Sequence, residues 1–154
     1  MPNWCEGNIR FRGKKQNIVN LILNEFKPTG NSEIKYENDE IYATDTGKKY
    51  KEDFYINGTN RCFVEEFHVY LGEDNEKEIV LCLDGFKAAR NIKDQGFREL
   101  ARKYQVDIKC VGFECGCEFY QIVSFDRSGA KKEEYKEYEL DEWEWNCLFP
   151  NLGG

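Results

Sequence analysis

Asn8-Ile9-Arg10-Phe11-Arg12-Gly13, running straight into Lys14 to Phe26, decides how this chain folds. In the first six residues Ile9 and Phe11 fall on one side of an extended chain and the two arginines on the other, the period of a half-buried strand. From Lys14 the period lengthens. Ile18, Leu21, Ile22 and Phe26 recur at helical spacing, Lys15, Asn20 and Asn24 point away, and Pro28 with Gly30 stops the helix.

The same two periods return further along. Arg61 to Leu71 reads as a strand with Phe63, Phe67, Val69 and Leu71 inward, and Glu78 to Leu83 as a second with Ile79, Leu81 and Leu83 inward. The charged stretch Gly72 to Lys77 between them has hairpin composition. After Asp84-Gly85, the positions Phe97, Leu100, Ala101 and Tyr104 have helix spacing, and Val106 to Val111 resumes a strand. The order β-α-β-β-α-β predicts an α+β class, a ferredoxin-like split β-α-β sandwich with a mainly antiparallel sheet and two helices on one face. Glu118 to Phe125 and Ala130 to Leu140, on either side of the turn Asp126-Arg127-Ser128-Gly129, extend that sheet with a C-terminal β-hairpin. Residues 27 to 60 are polar and read as an insertion carrying one weak hairpin or short helix. An acidic, aromatic tail occupies about 133 to 150.

A chain of 154 residues predicts a single domain, and 40% apolar with 15% aromatic residues suffices for a core despite 33% charged, which excludes disorder throughout. The first residues lack a basic patch followed by an apolar run, and no stretch approaches the roughly 20 apolar residues that span a bilayer, so no membrane partner and a cytoplasmic location are expected. Seven cysteines (Cys5, Cys62, Cys82, Cys110, Cys115, Cys117, Cys147) are an odd number at irregular spacing. They read as reduced thiols rather than a disulfide scaffold, and Asn57-Gly58-Thr59 then reads as a turn rather than a glycosylation site. A net charge of −7 argues against bulk phosphate binding, which rests on Lys and Arg displacing counterions, but leaves room for a local basic face.

His68 is the only histidine, which removes sites that need a second imidazole, and nothing beside it supplies the nucleophile of a Ser-His-Asp or Cys-His arrangement. Cys110, Cys115 and Cys117 supply one C-x-C, whereas a structural zinc favours two C-x-x-C knuckles. No carboxylate pair stands out, and Gly112-Phe113-Glu114-Cys115-Gly116 lacks the lysine and helix of a phosphate loop. The expectation is a protein that is not an enzyme, with no catalytic residues, cofactor or metal.

Two charge features remain. Lys87, Arg90, Lys93, Arg98, Arg102 and Lys103 gather around the second helix, either as its solvated face or as a nucleic-acid contact. Glu133, Glu134, Glu137, Glu139, Asp141, Glu142 and Glu144 interleave with Tyr135, Tyr138, Trp143 and Trp145, either as a surface that docks on a basic groove or as aromatics capping the domain's own core.

The opening Met1-Pro2-Asn3-Trp4-Cys5, with Asn8 and the strand ending at Gly13, resembles the start of the YubB-like ferredoxin-fold family of phages, plasmids and other mobile elements. Phe97-Arg98-Glu99-Leu100-Ala101-Arg102-Lys103-Tyr104, followed by a strand and then Glu114, Gly116 and Phe119, is similar to that family's second helix and closing hairpin. The family's Trp-Ser-Pro-Pro turn and Asn-Trp-Gly-Thr-Lys stretch are replaced here by Leu83 to Ala89 and the polar insertion. The resemblance implies the ferredoxin-like fold and a mobile-element setting, and supplies no catalytic residues. In that setting the acid and aromatic tail points to a non-enzymatic accessory protein. It would bind a host protein or nucleoprotein in the host cytoplasm, as an inhibitor of a defence nuclease of the CRISPR or restriction type. The alternatives are a single-stranded nucleic-acid-binding module using the basic second helix or the sheet face, and a carboxylate-metal hydrolase.

Overall fold

The structure is a computed structural model that describes residues 2–44, 47, 49 and 52–154. Along the chain come β1 (Trp4–Lys14), α1 (Lys15–Glu25), β2 (Phe26–Pro28), β3 (Ile34–Glu37), β4 (Glu40–Ala43), β5 (Asp53–Ile56), β6 (Cys62–Glu65) and β7 (His68–Tyr70). Then follow β8 (Glu78–Ala89), α2 (Phe97–Tyr104), β9 (Asp107–Glu114), β10 (Phe119–Phe125), β11 (Lys131–Glu137) and α3 (Trp143–Asn146). Eight strands form one antiparallel sheet in the order β11-β10-β9-β1-β8-β6-β5-β2, and β3-β4-β7 form a second.

β1 sits inside the large sheet, paired along its length with β8 and over most of it with β9. Its period of two sends Ile9 and Phe11 into the core and leaves Arg10 and Arg12 exposed. β8 keeps pace by means of a bulge. Gly85 is an extra residue with φ 76°, so Leu81 and Leu83 before it and Phe86 and Ala88 after it all face inward. Any side chain there would strain the backbone and press on Glu65, whose Cβ and Cγ lie 2.9 Å from where a Cβ would stand.

α1 and α2 cover this inward side and touch each other. Ile18, Leu21 and Ile22 of α1 and Phe97, Leu100 and Ala101 of α2 join Ile9, Phe11, Ile108, Val123 and Phe125 in one continuous core. The ring of Phe97 stacks on Phe125 at 5.9 Å. The small sheet packs on the same core through Ile41, Ile34, Tyr36 and Val69. Lys15, fully buried, ties it to α1: its ammonium donates to Asp39 Oδ1 at 3.0 Å and to the Gly72 carbonyl. Burial pulls this ammonium's pKa down, and the Tyr36 and Asp39 oxygens beside it outweigh that and hold it above its ordinary value.

The expected class is corrected. The described residues are mostly β, with 45% strand against 16% helix, one large eight-stranded sheet, a second three-stranded sheet and three short helices; this is not the two-helix ferredoxin-like α+β sandwich. The difference lies between residues 26 and 70. The segment read as an insertion with one hairpin or short helix supplies β2 and β5 to the large sheet and β3 and β4 to the small one. Arg61 to Leu71, read as one strand, is two: β6 pairs with β5 and β8, whereas β7 pairs with β4, so β7 and β8 form no hairpin. Within it Cys62 and Val64 are buried and Phe63 is only half-buried. These strands are three or four residues long, too short a run for a period of two to show. No helix among the described residues is long and apolar enough to cross a membrane.

Where α1 ends, Glu25 is buried and clamps three segments. It accepts from Lys103 Nζ at 3.0 Å, from the Tyr104 hydroxyl at 2.7 Å and from Asn57 Nδ2 at 3.0 Å. Burial pushes this carboxyl up, and the Asn57, Tyr104 and Lys103 donors outweigh it and hold it below the ordinary glutamate range. A lowered carboxyl stabilises fully above the ordinary value of about 4.3 and loses that contribution as pH falls through the lower, folded value. Glu25→Gln is therefore expected to cost about 1–3 kcal/mol at neutral pH and to flatten the fall of Tm as pH drops below about 4. Parallel acid-melting curves for variant and parent would remove the clamp.

Candidate docking surface at the C-terminal tail

The sheet side turned away from α1 and α2 is itself partly covered. Val111 and Phe113 of β9, with Tyr120 and Ile122 of β10, form a second apolar cluster with Tyr138, Trp143, Cys147 and Leu152. The Trp143 ring meets Tyr138 edge-on at 5.2 Å, and its Nε1 donates to the Pro150 carbonyl at 2.8 Å. Beyond it the chain lies between the start of β1 and the end of β9. Gly154 and Trp4 exchange backbone hydrogen bonds at 2.9 and 3.2 Å, and Cys115 N–H donates to the Leu152 carbonyl at 3.1 Å. Only glycine fits at 153, where φ is 79° and a Cβ would lie 2.3 Å from the Phe113 carbonyl oxygen and 2.4 Å from that of Trp4.

α3 is a single turn, and it separates the two indoles. Residues two apart on a helix point about 200° apart, so docking Trp143 drives Trp145 outward. Trp143 is 3% exposed and Trp145 88%. Cys147, one turn beyond Trp143, is buried, whereas Leu140, Leu148 and Phe149 are exposed, at 85%, 82% and 54%. Large apolar side chains at this level of exposure cluster here within ten residues, beside the exposed carboxylates of Glu137, Glu139, Asp141, Glu142 and Glu144.

The nine residues singled out for docking thus divide. Glu133 accepts from Lys131 Nζ and Gln121 Nε2, both at 2.7 Å, and the lysine first and the amide second hold its carboxyl below its ordinary range. Glu134 accepts from the Tyr120 hydroxyl, and that bond pushes the phenol up to about 12. Trp143 is the anchor. Glu137, Glu139, Asp141, Glu142, Glu144 and Trp145 remain turned to solvent. Leu140, Leu148 and Phe149 complete the apolar part of the surface, and sequence reading passes them over because an apolar residue in a tail reads equally well as core.

The basic residues placed around the second helix do not gather. Lys87 lies on β8 on the far side of the sheet, 2.7 Å from Asp53 and over the Trp4 ring. Arg90 and Lys93 lie in the loop after β8. Of the three on α2, Arg98 reaches Asp94 at 3.9 Å, Arg102 donates to the Ser128 carbonyl at 2.8 Å and Lys103 holds Glu25. His68 is exposed on β7 and pairs with Glu40 at 2.9 Å. Cys110 is buried in the core, Cys115 Sγ donates to the Gly153 carbonyl at 2.9 Å and Cys117 is exposed. Burial pushes the thiols of Cys5 and Cys62 up to about 12. Among the described residues, no three His, Cys, Asp or Glu side chains are grouped to hold a metal ion.

If Trp143 anchors the tail, Trp143→Ala opens it locally: residues 138–154 become cleavable by a protease under native conditions, with a loss of up to about 3–5 kcal/mol of docking energy. Trp145→Ala leaves the cleavage pattern unchanged. Equal resistance of the two variants would show that the tail is held by something else. Comparison of the chain with protein-family models, with curated proteins and with solved structures found no match.

Proposed function

We propose that this protein is a non-enzymatic docking protein whose C-terminal tail binds a basic protein surface. The observation that carries the reading is Trp145, 88% exposed two residues from the anchor Trp143. An indole held in solvent on a short helix that its neighbour fixes is pre-organised, so little ordering entropy opposes its insertion into a pocket. Burying it removes roughly 150–250 Å² from water, and Leu140, Leu148 and Phe149 add to that area. The five exposed carboxylates around them steer a lysine- and arginine-rich partner and set its orientation more than its affinity.

A groove lined with lysine and arginine is what a nuclease presents to phosphate. A protein that fills such a groove with carboxylates and a tryptophan blocks the nuclease without chemistry of its own. The proposed partner is therefore a host defence protein or nucleoprotein, and the setting is a phage or other mobile element, as the resemblance of Met1-Pro2-Asn3-Trp4-Cys5 implies. A stable complex of this kind buries about 1,200–2,000 Å² in all, more than the tail alone offers. Neighbouring β11 residues are expected to contribute.

Candidate defence nucleases, assayed for binding and inhibition, provide the test. Trp145→Ala is expected to weaken binding at least about thirtyfold, as for a central hot spot, with Tm unchanged. Reversing Glu137, Glu139, Asp141 and Glu142 to lysine is expected to slow association and remove its salt dependence. Inhibition of every candidate at undiminished strength by both variants would sink the interface.

A further inference from the structure

On the sheet side away from the helices, the exposed residues of neighbouring strands line up. Arg10 of β1 stands opposite Cys82 of β8 and Lys109 of β9; Lys109 stands opposite Ser124 of β10, and Ser124 opposite Lys132 of β11. One row across the sheet thus carries three exposed cations. At about 4.8 Å between strands they span roughly 14 Å.

Cations nearby are matched by acids: Arg12 by Asp107 at 2.8 Å, Arg127 by Glu78 at 2.7 Å, and Lys131 by Asp94 and Glu133 at 2.7 Å. Those in the row are not. Arg10 Nε donates to the neutral Asn8 amide at 2.9 Å, and among the described residues no carboxylate lies in ion-pair range of Arg10, Lys109 or Lys132. Like charges facing each other on adjacent strands repel, so Arg10 opposite Lys109 costs stability. In a chain with 29 acidic and 22 basic residues, such a row breaks a local rule with no carboxylate among the described residues to offset it, as functional sites do.

The row lies in a depression of about 580 Å³ whose lining includes Arg10, Arg12, Lys109, Ser124 and Lys132 together with the carboxylates of Asp107 and Asp126. The tail closes one side, since Val111 and Ile122, the next residues of β9 and β10 on this face, are covered by it. The far side is marked by Asp107 and Asp126. From Val111 to Asp107 the strip is four residues of strand, roughly 14 Å.

We propose that this strip binds the phosphodiester backbone of single-stranded nucleic acid laid across the β-strands, with Arg10, Lys109 and Lys132 each meeting a phosphate and the Ser124 hydroxyl donating between them. A narrow strip between two walls suits one strand rather than a duplex. Its lining offers charge and a hydroxyl but no surface-facing aromatic ring, so the contact is to the backbone and is tolerant of sequence. The net charge of −7 opposes approach at long range, which makes binding weak and sharply dependent on salt. This site borders the tail but uses none of its exposed side chains, and it is separate from the basic residues near α2.

The test is fluorescence anisotropy with labelled single-stranded RNA and DNA of about 16 nucleotides, titrated from about 50 to 200 mM salt. Three phosphate contacts predict a slope of log K against log salt of about −2. The triple variant R10Q/K109Q/K132Q is expected to flatten the slope to near zero, and K109Q alone, the milder change, to reduce it by about 0.7. W145A and R90Q/K93Q/R102Q are expected to leave it unchanged. The proposal is overturned if neither oligonucleotide binds at the lowest salt, or if the slope responds to R90Q/K93Q/R102Q instead. A duplex of the same length binding as tightly, or polyglutamate displacing the strand as well as unlabelled RNA does, would also overturn it.

Discussion

β1 can send only every second side chain to the core, and it is hydrogen-bonded on both sides, so it has no freedom to do otherwise. Ile9 and Phe11 must go under the helices, and Arg10 and Arg12 must then face away. A slip of one residue against β8 or β9 would bury two guanidinium groups and expose the two apolar residues that α1 and α2 are built to cover. The whole sheet takes its phase from this strand. Gly85 shows how strictly, since β8 stays in phase over twelve residues only by inserting one that no other residue type could occupy without strain.

Where the apolar period is long, the sequence was legible. β1, α1, α2, β9 and β10 lie within a few residues of where alternation or helical spacing puts them, and the turn Asp126-Arg127-Ser128-Gly129 places β11. Legibility failed between residues 26 and 70, because β2 to β7 are each three or four residues long, and the pairings β2–β5, β4–β7 and β6–β8 that place them join segments distant in sequence. Pairing of that kind leaves no local trace: β7 is a strand because β4 lies beside it, and Val69 finds Ile41 there. The ferredoxin-like class was an inference from six elements, whereas the described residues form fourteen.

The candidate site was legible in composition but not in direction. Reading acids and aromatics in the tail finds the right segment, yet Trp143 and Trp145 are indistinguishable until α3 turns them apart and β9 and β10 offer an apolar bed for one. Glu133 and Glu134 likewise look like their neighbours and are distinguished only by Lys131, Gln121 and Tyr120. Arg10, Lys109 and Lys132 are a different case. They stand 99 and 23 positions apart in the sequence, and only the strand register makes them a row.

The two outermost strands of the large sheet limit how anything can attach to it. β2 is three residues long and ends in Pro28, which has no N–H to give, and β11 carries six charges in its seven residues. A further strand added at either border would meet a missing donor or a fence of lysine and glutamate, so this sheet resists both self-templated growth and capture of a passing peptide by backbone zippering. Recognition by this sheet is left to side chains on the broad surface that α1 and α2 do not cover.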